Sequence, residues 1–163
     1  MKFPKVPRLK DFAYKGANIY FVTIRTAYNR PVFSQADPVR RVHGTLVDCS
    51  EKKGFKIWAY CYMPDHLHLL IEGQDQASLK DLMRLFKQRT SYDYKQETDD
   101  CLWQPSYYDH VLRNDESFIR VGRYIIDNPV RAKLVKDFQD YPYIGSETLN
   151  LKDFLGVEPF DMR

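Results

Sequence analysis

Two apolar runs separated by only two residues constrain this chain more than any other feature. "FKIWAYCYM" and "HLHLLIEG" are rich in aromatic and aliphatic residues, and Pro64 and Asp65 alone lie between them. Proline presets the φ angle of a turn and aspartate bonds the local backbone, so the pair predicts a tight turn and the runs a β-hairpin. Side chains alternate along a strand, which sends His66 and His68 to one face and Leu67, Leu69 and Ile71 to the other. The hairpin thus commits one face to a core and sets two imidazoles together on the opposite side.

The remaining segments extend this start into a fold class. "NIYFVTIRT" predicts a strand from Ile19 to Arg25. In "ADPVRRVHGTLVDCSEKKG", Asp37 reads as N-cap and Pro38 as the first helical residue, with Val39, Val42, Leu46 and Cys49 on one face before Gly54. "ASLKDLMRLFKQRTSYDYKQ" predicts a second helix, opened by Ser78 with Asp81 three residues on and buried through Leu79, Leu82, Met83 and Phe86. "KQETDD" reads as a loop and "SYYDHVL" as a strand. A third helix follows with Asn114 as N-cap and Phe118, Val121, Gly122 and Ile125 inward, interrupted or restarted at Pro129. Strand, helix, strand, strand, helix, strand is the split βαβ order. The expected class is therefore α+β: a ferredoxin-like antiparallel sheet with helices packed on one face and an appended C-terminal helical segment.

At 163 residues and 44% hydrophobic content, one compact domain over 1–163 is expected, with a basic N-terminal arm and an acidic tail. No apolar run reaches the roughly 18 residues of a membrane span and the first residues lack a signal-peptide block, so a cytoplasmic protein without a membrane partner is expected. Cys49, Cys61 and Cys101 fit neither a disulfide framework nor a CxxC zinc site, and read as reduced packing residues. The net charge of +3 hides an asymmetry: residues 1–60 carry 12 Lys+Arg against 4 Asp+Glu, and residues 61–163 carry 13 against 18. A basic half is compatible with nucleic-acid binding and equally with an ordinary solvated surface. The segment from Asp137 to Arg163, with six acids and two bases, reads as a loosely packed tail.

Two neutral imidazoles on one strand face can offer lone pairs to a single cation, although the same spacing also suits surface or hydrogen-bonded histidines. Candidates for a third ligand are Glu72, His110 and groups on a following helix, whereas His43 reads as surface. Tyr124 and Asn128 share a helix face if the helix persists to Pro129. Alternatively, Asn128 caps a helix that starts at Pro129, and Tyr124 packs on the sheet.

Taken together, "YCYMPDHLHLLIEG", "LWQPSYYDHVLRNDESFIRVGRYIIDNPVRAKLV" and the "YFVT" strand resemble the IS200-like single-tyrosine transposases of the HUH class. Within that class they are similar to the subgroup associated with repetitive extragenic palindromes, the REP-associated tyrosine transposases. The resemblance spans about residues 14–136, and the ordered set of HxH, WQ and YI..NPV is far more specific than HxH alone. It implies Tyr124 as nucleophile and His66, His68 and Asn128 as metal ligands, where insertion-sequence members commonly have glutamine in place of Asn128. His110 matches a recurrent histidine of the subgroup without an assigned role.

The implied activity is a metal-dependent single-stranded DNA endonuclease and strand transferase, forming a covalent 5′-phosphotyrosine at hairpin or palindromic DNA. A catalytically inactive hairpin-binding module is the alternative. Imidazole ligands alone favour zinc, nickel or copper, whereas the resemblance implies Mg2+ or Mn2+ and no nucleotide cofactor. DNA contacts are expected from Lys2, Lys5, Arg8 and Lys10 in the arm, and from Lys80, Arg84, Arg113, Arg120 and Arg123. The resemblance implies a homodimer for insertion-sequence relatives, but no feature of the sequence fixes one here. A phenol with a reference pKa of about 10 needs a base or a positive field to act near neutrality, and the sequence does not identify one.

Overall fold

The hairpin forms where the sequence places it. β2 (Phe55–Met63) and β3 (His66–Gly73) pair antiparallel through the Pro64–Asp65 turn. The computed structural model describes residues 12–113 and 115–155. Lys2, Lys5, Arg8, Lys10 and the expected cap Asn114 lie outside the described residues.

β3 is central because both of its edges find partners. β1 (Ile19–Arg25) lies on the far side of it from β2, and β4 (Tyr108–Leu112) pairs with β1. α1 (Ala36–Lys53) connects β1 to β2, and α2 (Leu79–Thr98) connects β3 to β4. α3 (Asp115–Arg131) follows, then a two-residue strand β5 (Ile144–Gly145) and a short α4 (Leu151–Leu155). The sheet order is β4-β1-β3-β2-β5 with every pair antiparallel, so the expected ferredoxin-like order is the observed one with β5 added at the edge.

Strand alternation divides the core into two layers. Val22, Ile24, Leu67, Leu69 and Ile71 pack with α1 and α2 through Val42, Leu46, Leu82 and Phe86. Phe21, Leu70 and Cys61 face the other way, onto Val121, Ile125 and Ile126 of α3 and Phe154 of α4. α1 and α2 therefore share one face, and the C-terminal helices cover the opposite one. A register shift in β2 between Ile57 and Ala59 permits this. Trp58 is the extra residue, and beyond it the odd positions Ala59, Cys61 and Met63 face α3, whereas Phe55 and Ile57 before it face α1 and α2.

Several local expectations are corrected. α1 begins at Ala36 with Gln35 as its cap residue, and Asp37 sits in the first turn, where it accepts from Arg40 at 2.7 Å. "KQET" belongs to α2, which ends at Thr98 on Asp99 in the left-handed region (φ 57). Cys101 is exposed rather than packed. Pro129 lies inside α3 without restarting it: Ala132 N donates to Asn128 O at 2.9 Å, so the helical pattern continues past the proline. The acidic tail is not loose as far as it is described. Tyr141 and Phe154 are buried, the Tyr141 hydroxyl donates to Tyr62 O at 2.6 Å, and β5 pairs with β2. Net charge misleads there because Asp137, Asp140, Glu147 and Asp153 sit outward while widely spaced aromatics do the packing.

One position shows how tightly β3 is closed. A Cβ on Gly73 would meet Gly16 O at 2.7 Å and Ala77 Cβ at 3.0 Å. Neither backbone can retreat freely, since Gly73 N donates to Asn18 O and Gly16 N to Ala77 O, both at 2.9 Å. Gly73→Ala is expected to destabilise the fold by about 1–3 kcal/mol, read as a lower urea midpoint.

Candidate active site

The site is built on the face of the sheet covered by α3. Across the strands, Cys61, His68, Thr23 and Tyr108 form one row, and Met63, His66 and Arg25 form the next row outward. Directly opposite residues share a face, so Thr23 stands beside His68 and Arg25 beside His66. The two histidine Nε2 atoms are 3.1 Å apart. Each Nδ1 is occupied: that of His66 by Asp65 Oδ1 at 2.6 Å, and that of His68 by Thr23 Oγ1 at 2.8 Å. Partners of this kind fix ring orientation and tautomer and leave the outer nitrogen aimed at a common point.

A simple proton inventory satisfies these contacts. His66 donates Nδ1–H to the Asp65 carboxylate and presents its Nε2 lone pair, to which His68 donates Nε2–H while the Thr23 hydroxyl donates to His68 Nδ1. Moving the His68 proton to Nδ1 requires only that the Thr23 hydroxyl turn from donor to acceptor. Both Nε2 lone pairs then face one point. Two donors at about 2.1 Å from an octahedral ion, at right angles, stand roughly 3 Å apart, and the pair fits that spacing.

α3 supplies the other groups. Tyr124 lies edge-on to both floor rings, with centroids 5.7 Å from His68 and 5.8 Å from Phe21, and Phe21 stacks on His68 at 5.5 Å. Asn128 is one turn further along the same helix face. Because α3 continues through Pro129, Asn128 does not cap a new helix, and among the described residues its buried Nδ2 has no hydrogen-bond partner. A buried amide donor without a partner is costly in a finished core, and it is the amide oxygen of the same side chain that could ligate a cation. His66, His68 and Asn128 are thus the residues that could hold a divalent cation.

The pair is held neutral. Burial pushes the His68 imidazole well below its ordinary pKa of 6.5, assisted by His66, Arg25 and Arg131, and His68 is 6% exposed. Burial also lowers His66, against the opposing pull of Asp65. As pH falls below about 6.5, the unfolded chain takes up protons that the folded chain resists, so this contribution to stability is present above that value and lost below it. The urea midpoint is expected to decline from about pH 6.5 to 5, and less steeply in His68→Gln.

Other expected groups are dispersed. Glu72 accepts from Trp58 Nε1 at 2.8 Å and lies four residues along β3 from His68. His110 faces Phe21 from β4, with β1 between it and β3. His43 is not simply surface: it is within hydrogen-bond reach of Glu147 at 2.7 Å and the Tyr62 hydroxyl at 3.2 Å, in the α1 layer. Lys80 and Arg84 lie on α2, on the opposite face of the sheet, over the Tyr14 ring and beside Asp81 respectively. Arg113 follows β4 at the end opposite His66, Arg120 is exposed on α3, and Arg123 Nε donates to Phe154 O at 3.3 Å.

Among the described residues, two cations outside the expected set stand at the site. Arg25 is the cross-strand neighbour of His66 and lies 3.8 Å from Asp65 Oδ2. Arg131 places its guanidinium carbon 4.0 Å from the Tyr124 ring centroid and donates to Tyr124 O at 3.2 Å. Its i+7 spacing from Tyr124 is a helical signal, hidden by the expectation that Pro129 ends the helix.

Comparison with known proteins converges on one family. A family model described as transposase IS200 like matches residues 15–128. The chain is 28% identical over 160 residues to the REP-associated tyrosine transposase of Escherichia coli (strain K12), covering 93% of this chain and 88% of that protein. A solved REP-associated tyrosine transposase bound to a REP hairpin superposes with a TM-score of 0.71 at 21% identity, covering 85% of this chain and 82% of that one, and so shares its fold.

Proposed function

The chain belongs to the IS200-like transposase family, and on that premise we propose that it cuts and rejoins single-stranded DNA at hairpins, with Tyr124 as nucleophile and a divalent ion, Mg2+ or Mn2+, held by His66, His68 and Asn128. The observation that carries this reading is the convergence of the two histidine Nε2 atoms, 3.1 Å apart, on a floor against which the Tyr124 ring lies. Hairpin DNA is the substrate class because a relative of the same fold is bound to one.

The chemistry follows from where the groups stand. Tyr124 Oη attacks the scissile phosphorus, a Tyr–O–P bond forms and the P–O3′ bond breaks. The phenolic proton leaves, the departing 3′ oxygen gains one, and the downstream strand stays on Tyr124 through its 5′ phosphate. Attack by a 3′-hydroxyl on this linkage reverses the exchange and joins strands, with one phosphodiester bond kept throughout. A divalent ion held by His66, His68 and Asn128 would supply charge neutralisation of the scissile phosphate. Arg131, with its guanidinium carbon 4.0 Å from the Tyr124 ring centroid, braces the ring and sets a positive charge over the face of the phenol that becomes phenolate. Arg25 adds a second positive charge at the rim, which attracts the phosphate backbone.

The test is the chemistry of the ends. A labelled hairpin with a single-stranded flank is incubated with protein and Mg2+ and resolved on a denaturing gel. Strand transfer predicts an upstream fragment with an extendable 3′-hydroxyl and a downstream fragment retained by protein. A free 5′-phosphate on the downstream fragment at first turnover would instead show hydrolysis by water, and release of neither fragment would favour a module that only binds.

A further inference from the structure

The loop after β1 carries an aromatic ring that the core does not use. Tyr28 is 85% exposed, yet its backbone is fixed in an uncommon conformation: φ is 58° at Tyr28 and 53° at Asn29, consecutive left-handed residues that both carry a Cβ. Such a conformation persists only where its surroundings impose it. Here Ala27 N donates to Leu102 O at 2.8 Å, Asn29 N to Thr26 O at 3.2 Å, and Gln104 Nε2 to Asn29 Oδ1 at 3.0 Å. The Arg30 guanidinium lies 5.6 Å from the Tyr28 ring centroid, and is itself held by an ion pair with Asp100 and a 2.6 Å bond to Cys101 O.

The same loop is tied to the candidate active site. Thr26 N donates to Asp65 O at 3.0 Å, its hydroxyl lies 3.0 Å from the same oxygen and 2.8 Å from Arg30 O, and Asp65 precedes His66. Arg25, two residues before Ala27, is the cross-strand neighbour of His66. The ring therefore stands at the end of the sheet that holds the histidine pair. It is braced near the Arg30 guanidinium, open to solvent, and carried on the loop that Arg25 leads into.

We propose that Tyr28 is a stacking platform for an unpaired base of the DNA strand that passes the site. This rests on the transposase reading above. Bases of any identity present a π-face, and a ring on a backbone already fixed by its loop loses less freedom on binding one. The platform sets how the single strand beside the hairpin is led to Tyr124.

The experiment compares wild type, Tyr28→Asn and Tyr28→Phe by fluorescence anisotropy. Asparagine tolerates the left-handed backbone, so the loop is kept while the ring is lost. The probes are an oligothymidine of about 12 nucleotides and an abasic strand of equal length. Tyr28→Asn is expected to weaken oligothymidine binding roughly five- to tenfold, to leave abasic-strand binding unchanged, and to lose the quenching of a 2-aminopurine placed in the strand, whereas Tyr28→Phe behaves as wild type. Equal oligothymidine binding by wild type and Tyr28→Asn overturns the platform alone. So does an equal loss on both probes, a loss in Tyr28→Phe, or a change in self-association without a change in DNA binding, which would make the ring a contact between copies. Failure of wild type to bind any DNA overturns the transposase reading together with the platform.

Discussion

Tyr124→Phe is expected to lower single-turnover DNA cleavage by roughly 10³-fold or more, the scale seen when a nucleophile is removed, while leaving hairpin affinity and thermal stability close to wild type. The substitution deletes one oxygen and keeps the ring. The edge-on contacts with Phe21 and His68 and the Arg131 guanidinium 4.0 Å from the ring centroid all survive it. A large loss of rate without a loss of fold or binding is what a nucleophile predicts and what a packing tyrosine does not. Fluorescence anisotropy on the hairpin and a denaturing-gel time course measure the two quantities separately.

His68→Ala is the second large effect. It removes one of two convergent nitrogens and leaves the Thr23 hydroxyl facing a void, so cleavage should fall on the order of 10²–10³-fold and Mn2+ binding followed by titration calorimetry should be lost. Hairpin affinity should stay within about threefold, because backbone contacts of the DNA do not depend on the imidazole. The buried ring also packs on Phe21, so His66→Ala at the rim is the companion variant: it removes the other nitrogen with less disturbance of the core. Loss of cleavage and of Mn2+ binding in both variants, with folding retained in at least His66→Ala, separates ligation from packing.

Much of this site is legible in the chain because strand and helix periods are local. The alternation in "HLHLLIEG" is enough to put His66 and His68 together and Leu67, Leu69 and Ile71 into the core, and Ser78 caps α2 through Asp81 N as its spacing implies. Groups that depend on register are not legible in this way. Thr23 and Arg25 become neighbours of the histidines only through the β1–β3 pairing, which no local pattern specifies. The extra residue at Trp58 changes which side chains of β2 face α3, and a uniform alternation misses it. Arg131 is obscured by Pro129, which removes the N–H that would reach Ile125 O, yet α3 runs on to Arg131 and Ala132 N still donates to Asn128 O. The layer of Lys80 and Arg84 is not legible for a different reason: helical spacing identifies a face but not the layer, and α2 packs on the side of the sheet away from Tyr124.

The central claim is that Tyr124 itself becomes covalently joined to DNA. The most direct measurement is mass spectrometry of protein recovered after reaction with a hairpin carrying a single-stranded flank in Mg2+, denatured and digested with protease and nuclease. The account predicts a nucleotide mass attached through phosphate to the peptide containing Tyr124, present in wild type and absent from Tyr124→Phe. An adduct on another tyrosine, or cleaved DNA with no adduct at any time point, would contradict it.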